Sequence, residues 1–552
     1  MLITVACAGE PGHRLEATAM LANDTPLRAA VSAPHHLAAE AGAGVLREGG
    51  NAIEAMVAAA AAIAVVYPHM NGLGGDSFWL LREPGRAPLG IEACGPAAVG
   101  ATPAWYRDRG LTVIPSRGGA AANTVAGTVA GWQVALALSR SQWSGRLPLH
   151  RLLAPAVAHA REGYPMTHSQ AEATRDKHPE LGPQPGFDAQ YLPGGAFPVP
   201  GETFRQPELA STLERLAAVG LADFYSGELA QALGEGLAEA GSPIRAPDLA
   251  GYAARRVAPL NMRHSLGTLW NMPPPTQGLA SLMILGVFDR LQRRHPVAAE
   301  SAEWLHAMVE AVKQAFLVRD RVVTDPAYLP EDPAQWLKPE ALDALADRVD
   351  WSRALAWPQP ASPGDTVWLG AIDAEGRCVS FIQSLFHEFG SGVVVPDTGV
   401  IWQNRGCSFS LAPDALNDLK PGRRPFHTLN PALAVLDDGR TLVYGTMGGE
   451  GQPQTQAAVF TRVALYGQSP EQAVASPRWL LGRTWGAGTD TLKLEADFPP
   501  ELVEALRGRG HDVEVVPPRN SAMGHAGLLV RDRAGHVRAA SDPRSDGGVA
   551  GL

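Results

Sequence analysis

The chain has 552 residues, 45% of them hydrophobic and 18% charged, with a formal net charge of -10 at pH 7 and a pI near 5.9. That balance suits a globular enzyme with a large buried core. It carries no basic block, so neither nucleic acid nor an anionic membrane is an expected partner.

Four cysteines, Cys7, Cys94, Cys378 and Cys407, are scattered without C-x-x-C spacing. This argues against a zinc centre or a disulfide framework and for a reducing compartment. The opening residues 1–8 are apolar but lack the basic lead and length of a secretory signal. The longest apolar run, 55–67, is too short to cross a bilayer. Together these predict a cytoplasmic protein.

In chain order, 35–66 reads as two helices broken at Gly49-Gly50-Asn51. The second is alanine-rich on every face, so it should be buried all round. Pro68 and a glycine loop, Asn71 to Asp76, follow, and Ser77 to Leu81 reads as a strand. The loop lacks the lysine and spacing of a phosphate loop. From about 130 to 350 the pattern is mostly amphipathic helix, clearest at 209–221 and 303–318. Residues 181–201 are Pro/Gly-rich and read as loop. Residues 354–364 hold three prolines without periodicity and read as an exposed tether.

After the tether the pattern turns to strands. Residues 367–373 and 378–384 form a hairpin around Ala374-Glu375-Gly376. Further pairs are 432–436 with 442–445, and 527–530 with 537–540. Stacked sheets covered by helices are expected.

Gly364-Asp365-Thr366 stands at the boundary between the two patterns. A threonine hydroxyl is a poor nucleophile without an adjacent base. Cleavage before Thr366 would give it one, its own α-amine, which titrates near pH ~8. Eighty residues later, Gly448-Gly449 offers backbone N–H groups for a developing oxyanion. Gly390-Ser391-Gly392 is no nucleophile elbow, because its glycine spacing is wrong. His35-His36 resembles a metal pair, but adjacent helical residues point apart. No metal or organic cofactor is expected.

The chain resembles the gamma-glutamyltransferase family of N-terminal nucleophile hydrolases. The likeness is carried by Gly50-Asn51-Ala52-Ile53-Glu54-Ala55, Pro68-His69, Gly72-Leu73-Gly74-Gly75, Met272 to Gly278, Asp365-Thr366, Gly390-Ser391-Gly392, Gln403-Asn404-Arg405, Gly448-Gly449 and Ser541 to Arg544. The resemblance implies an α+β fold, a four-layer αββα sandwich. It implies self-cleavage between Asp365 and Thr366 into a large subunit, 1–365, and a small one, 366–552, forming one intertwined unit; a dimer of such heterodimers is compatible with it. Thr366 would be the nucleophile and Ser384 the hydroxyl that hydrogen-bonds it. Gly448 and Gly449 would form the oxyanion hole, and Asn404 would lie beside the substrate. Thr276 and Gln277 sit where the family closes its pocket.

The departures concern the glutamyl donor. The family's carboxylate-binding arginine has no counterpart in Glu92 to Ala98. Phe386 and Ser408 replace the residues that hold the donor ammonium, and His427 and Thr428 replace two carboxylate-binding serines. A desolvated ammonium without a carboxylate partner costs several kcal/mol. These changes resemble the branch that holds cephalosporin acylases and oxamate amidohydrolase. They imply a small-molecule amide whose acyl part carries a carboxylate and no ammonium, with Arg405 and His427 as candidate partners for that carboxylate. Arg424 reads as structural. Two alternatives stay open: a gamma-glutamyl transpeptidase that binds its donor differently, and an uncleaved, non-catalytic binding protein.

Overall fold

The structure, a computed structural model, describes residues 27–357, 365–482 and 489–552. Most of the tether expected at 354–364, and the opening residues with Cys7, lie outside this range. Two antiparallel sheets stack face to face. The seven-stranded sheet runs Gly548–Gly551, Ala30–Ala33, Asp365–Ile372, Cys378–Phe386, Asp76–Arg82, Leu89–Ala93, Arg255–Val257. The six-stranded sheet runs Val537–Ser541, Ala526–Arg531, Thr441–Thr446, Ala432–Leu436, Gly267–Asn271, Leu260–His264.

Alternation along the strands builds the layers. Phe78, Leu80, Trp368 and Ile382 point inward from the first sheet and meet Leu433, Val443 and Leu529 from the second. Val367, Leu369, Val379 and Phe381 point outward, into a layer of helices that includes Ala52–Val66. That helix is buried along its whole length. Asn51 starts it with a capping box closed by Glu54. Its alanines let the chain pack closely on every side. Helices Gly278–Arg294, Ala302–Val322 and Gln452–Phe460 cover the second sheet. The result is the expected α+β, αββα sandwich.

Two sequence expectations need amendment. The Pro/Gly-rich stretch 181–201 contains a short helix, Phe187–Tyr191, whose Phe187 and Tyr191 are anchored against Phe389. The mostly helical middle also supplies strands Arg255–Val257, Leu260–His264 and Gly267–Asn271. Both sheets therefore contain strands from before and from after residue 365. Leu355 is held by a buried ion pair. Lys313 Nζ donates to Glu310 Oε1 at 2.7 Å and to the Leu355 carbonyl at 2.6 Å, and Glu310 accepts from Leu355 N. His306, Glu310 and His511 bring ligand-type atoms within 4.8 Å of one another. The Lys313 ammonium already occupies the cation's place against Glu310.

Candidate active site

Thr366 lies on the inner face of the first sheet and is fully buried. The pairing of strands 365–372 and 378–386 slips there: Val367 opposes Gln383, but Asp365 opposes Phe386. The resulting bulge sets Ser384 and Leu385 opposite Thr366. Phe386 takes a left-handed backbone, φ 84°, which costs a bulky residue on the order of 1–3 kcal/mol. Its amide donates to Ser384 Oγ at 2.8 Å. Thr366 Oγ1 in turn donates to Ser384 Oγ at 3.3 Å. On its other side Gln452 Nε2 donates to Thr366 Oγ1 at 3.5 Å, and Gln452 is itself held by Asn430.

Gln452 begins the helix that follows the glycine turn, so that turn sits beside Thr366. Gly448 has φ 114°, ψ 37°, and Gly449 has φ 53°. Two successive left-handed residues make a tight turn open to glycine without strain, immediately before the helix Gln452–Phe460. A Cβ on Gly448 would also lie 3.2 Å from Gly524 Cα. The turn is braced from behind. Gln277 Nε2 donates to the carbonyls of Gly449, 2.9 Å, and Thr428, 2.8 Å. Gln277 Oε1 accepts from Arg319, which also pairs with Glu450 at 2.9 Å. Gln277 thus supports the pocket's frame.

Arg405 is the buried cation beside Phe386. It is 1% exposed, and its guanidinium carbon lies 3.7 Å from the Phe386 ring centre. One nitrogen reaches Thr428 Oγ1 at 3.4 Å; Nη2 has no hydrogen-bond partner. Burial lowers its pKa to about 10, against the opposing pull of Asp76. Asp76 stands directly across from Ser384 on the neighbouring strand. Its Oδ1 accepts from Gly95 N, 3.2 Å, and Gly127 N, 2.9 Å, while Oδ2 has no hydrogen-bond partner. Burial pushes its pKa up to about 7, opposed by those amides, by Arg405 and by the Gln403 side chain. His427 Nε2 lies 3.5 Å from Asp76 Oδ2. Burial and then Arg405 and Arg424 hold the imidazole far below its ordinary pKa, so it is neutral and this contact is no ion pair.

The remaining expected residues spread around this centre. Thr428 adjoins Arg405. Asn404 uses its side chain on backbone, accepting from His387 N at 3.1 Å and donating to Ser116 O at 2.7 Å. Ser408 donates to Phe426 O at 3.4 Å, next to His427. Arg424 pairs with Glu92 at 3.0 Å, away from the nucleophile. Asp76, Gln452, Asn430, Arg319 and Glu450 were not singled out from sequence as site residues. Asp76 was hidden in a glycine loop whose composition signals only a turn. The loop's purpose is close approach: a Cβ on Gly75 would lie 2.3 Å from the Ser384 carbonyl oxygen.

A family model described as Gamma-glutamyltranspeptidase matches residues 38–552. The chain belongs to the gamma-glutamyltranspeptidase family. It is 55% identical over 519 residues to the oxamate amidohydrolase proenzyme of Klebsiella pneumoniae subsp. pneumoniae, covering 94% of this chain and 97% of that protein. It is 39% identical to the glutathione hydrolase-like YwrD proenzyme of Bacillus subtilis, covering 95% and 98%. The crystal structure of cephalosporin acylase from Bacillus halodurans superposes with a TM-score of 0.87 at 31% identity, covering 100% of this chain and 99% of that one. This family member is a self-processing amidohydrolase of the N-terminal nucleophile class. No described helix is long and apolar enough to cross a membrane.

Proposed function

We propose that this enzyme hydrolyses a small monoamide whose acyl part ends in a carboxylate, with oxamate, the substrate named for its Klebsiella relative, as the leading candidate. Thr366 is the nucleophile. Cleavage of the Asp365–Thr366 bond frees the α-amine, which takes the Oγ1 proton through a water. Oγ1 then attacks the amide carbonyl, and the Gly448 and Gly449 amides hold the oxyanion. Ammonia or an amine leaves, and water releases the acid from the acyl-enzyme. Ser384 orients Oγ1, and Gln452 holds it from the opposite side.

The observation that carries the substrate class is Arg405. A buried guanidinium with an unpartnered nitrogen, one face closed by an aromatic ring, is costly unless a ligand completes it. A carboxylate matches its fork. The position where the family holds an ammonium is filled by the Phe386 ring. Processing leaves 1–365 and 366–552 held together by two sheets to which both parts contribute strands. Cys94, Cys378 and Cys407 are free thiols, which supports work in a reducing compartment, the cytoplasm.

The test is turnover of oxamate, a glutaryl anilide and a gamma-glutamyl anilide by the processed enzyme. Oxamate and glutaryl hydrolysis should exceed gamma-glutamyl hydrolysis by a hundredfold or more in kcat/KM, the size of an unpaired buried ammonium. Faster gamma-glutamyl turnover would restore the transpeptidase reading.

A further inference from the structure

The carboxylate pocket contains a second acid that the reaction does not use. Asp76 is fully buried on the same inner sheet face as Thr366 and Ser384, directly opposite Ser384. Its Oδ1 is committed to two backbone amides, whereas Oδ2 faces His427 at 3.5 Å, with the Gln403 side chain beside the carboxyl group and Arg405 within electrostatic reach. An anionic ligand on Arg405 would therefore meet a second carboxylate in the same water-poor space. Two carboxylates and one guanidinium leave an excess negative charge that such a site cannot hold cheaply.

Resting on the reading that Arg405 holds the acyl carboxylate, we propose that Asp76 is the specificity residue that admits it. Asp76 binds as the neutral acid and donates an Oδ2–H hydrogen bond into the Arg405 subsite, so each carboxylate ligand enters together with one proton. The charge then balances: one guanidinium, one ligand carboxylate, one neutral carboxylic acid and one neutral imidazole. A neutral ligand gains nothing from that proton, and a ligand ammonium finds only donors and a cation.

The surroundings support a neutral Asp76. Arg405 is the cation acting on it. Cys94, Tyr225 and Tyr252, from three different segments, are all within electrostatic reach of Asp76. Burial raises the pKa of each, so they carry no charge near neutrality. Glu92 is engaged by Arg255 and Arg424. His427 is neutral. An acid raised to about 7 is protonated below that pH and ionised above it. Carboxylate affinity should therefore be flat on the acid side and fall about tenfold per pH unit above neutrality.

The probe is oxalate, the acid that oxamate hydrolysis would leave; one carboxylate occupies the Arg405 subsite counted above, the other lies outside it at the Thr366 end, and the charge is nearly constant over the range used. Binding to the processed enzyme is measured by calorimetry from pH 5.5 to 9, in pairs of buffers that differ in ionisation enthalpy. The expected result is a dissociation constant that rises about a hundredfold from pH 6 to pH 9, with uptake of about one proton at pH 8.5 and almost none at pH 5.5. Asp76→Asn keeps the acceptor for Gly95 and Gly127 and replaces the acid by an amide donor. It should bind oxalate with a pH-independent constant close to the wild-type acid limit, without proton uptake. Equal affinity at all pH values in the wild type would overturn the proposal. So would uptake that persists in Asp76→Asn, which would assign the proton to the Thr366 amine or to His427. Failure of oxalate to bind at any pH is a different result: it removes the Arg405 carboxylate site itself.

Discussion

Replacing Arg405 by methionine separates recognition from folding. Methionine has a similar reach, keeps contact with Phe386 and removes the charge. A carboxylate bound by a buried guanidinium fork gains two charge-assisted hydrogen bonds, each of ~1.5–3 kcal/mol. Their loss predicts a fall of about 3–5 kcal/mol in transition-state binding, or a factor of roughly two hundred to five thousand in kcat/KM for oxamate. Stability should respond in the opposite sense. The guanidinium has an unpartnered nitrogen and no carboxylate within ion-pair distance among the described residues. Its burial cost of several kcal/mol is only partly offset by stacking of ~2 kcal/mol. Arg405→Met should thus unfold at the same temperature as the wild type or higher. The assay is ammonia release from oxamate, with intact mass to verify processing and calorimetry for the melting temperature. A kcat/KM within tenfold of wild type would refute the carboxylate contact. A large drop in melting temperature together with failed processing would make Arg405 a structural residue.

Thr366→Ala should yield one uncut polypeptide of 58.2 kDa without amidase activity, checked by intact mass and by Edman sequencing for a start at T-V-W-L. Ser384→Ala removes one partner of Thr366 Oγ1 and the acceptor of the Phe386 amide; turnover and processing should slow by about ten- to a hundredfold, with Ser384→Thr retaining both. Gln277→Ala frees the Gly449 and Thr428 carbonyls and removes one partner of Arg319, which keeps Glu450. A less rigid oxyanion turn should lower kcat by roughly ten- to a hundredfold with little change in KM, and equal losses in both constants would place Gln277 on the substrate instead.

Local chemistry was legible along the chain. Period-two alternation marked the nucleophile hairpin 367–384, and alanine richness on every face marked the buried helix Ala52–Val66. Glycine pairs marked backbone that must turn or approach closely, because those properties reside in neighbouring residues. Strands Leu260–His264 and Gly267–Asn271 were not legible, since their role depends on pairing with Ala432–Leu436, far along the chain. Asp76 alone reads as one more polar residue in a glycine loop. Its position opposite Ser384, its burial and the oxygen facing His427 arise only when three distant segments meet. The sequence by itself determined which atoms can react: a hydroxyl that cleavage would place next to an amine, and two glycine amides. Tertiary structure decided which charges share that space and without water, because the strength of a charge interaction depends on distance and dielectric, which the order of residues does not specify.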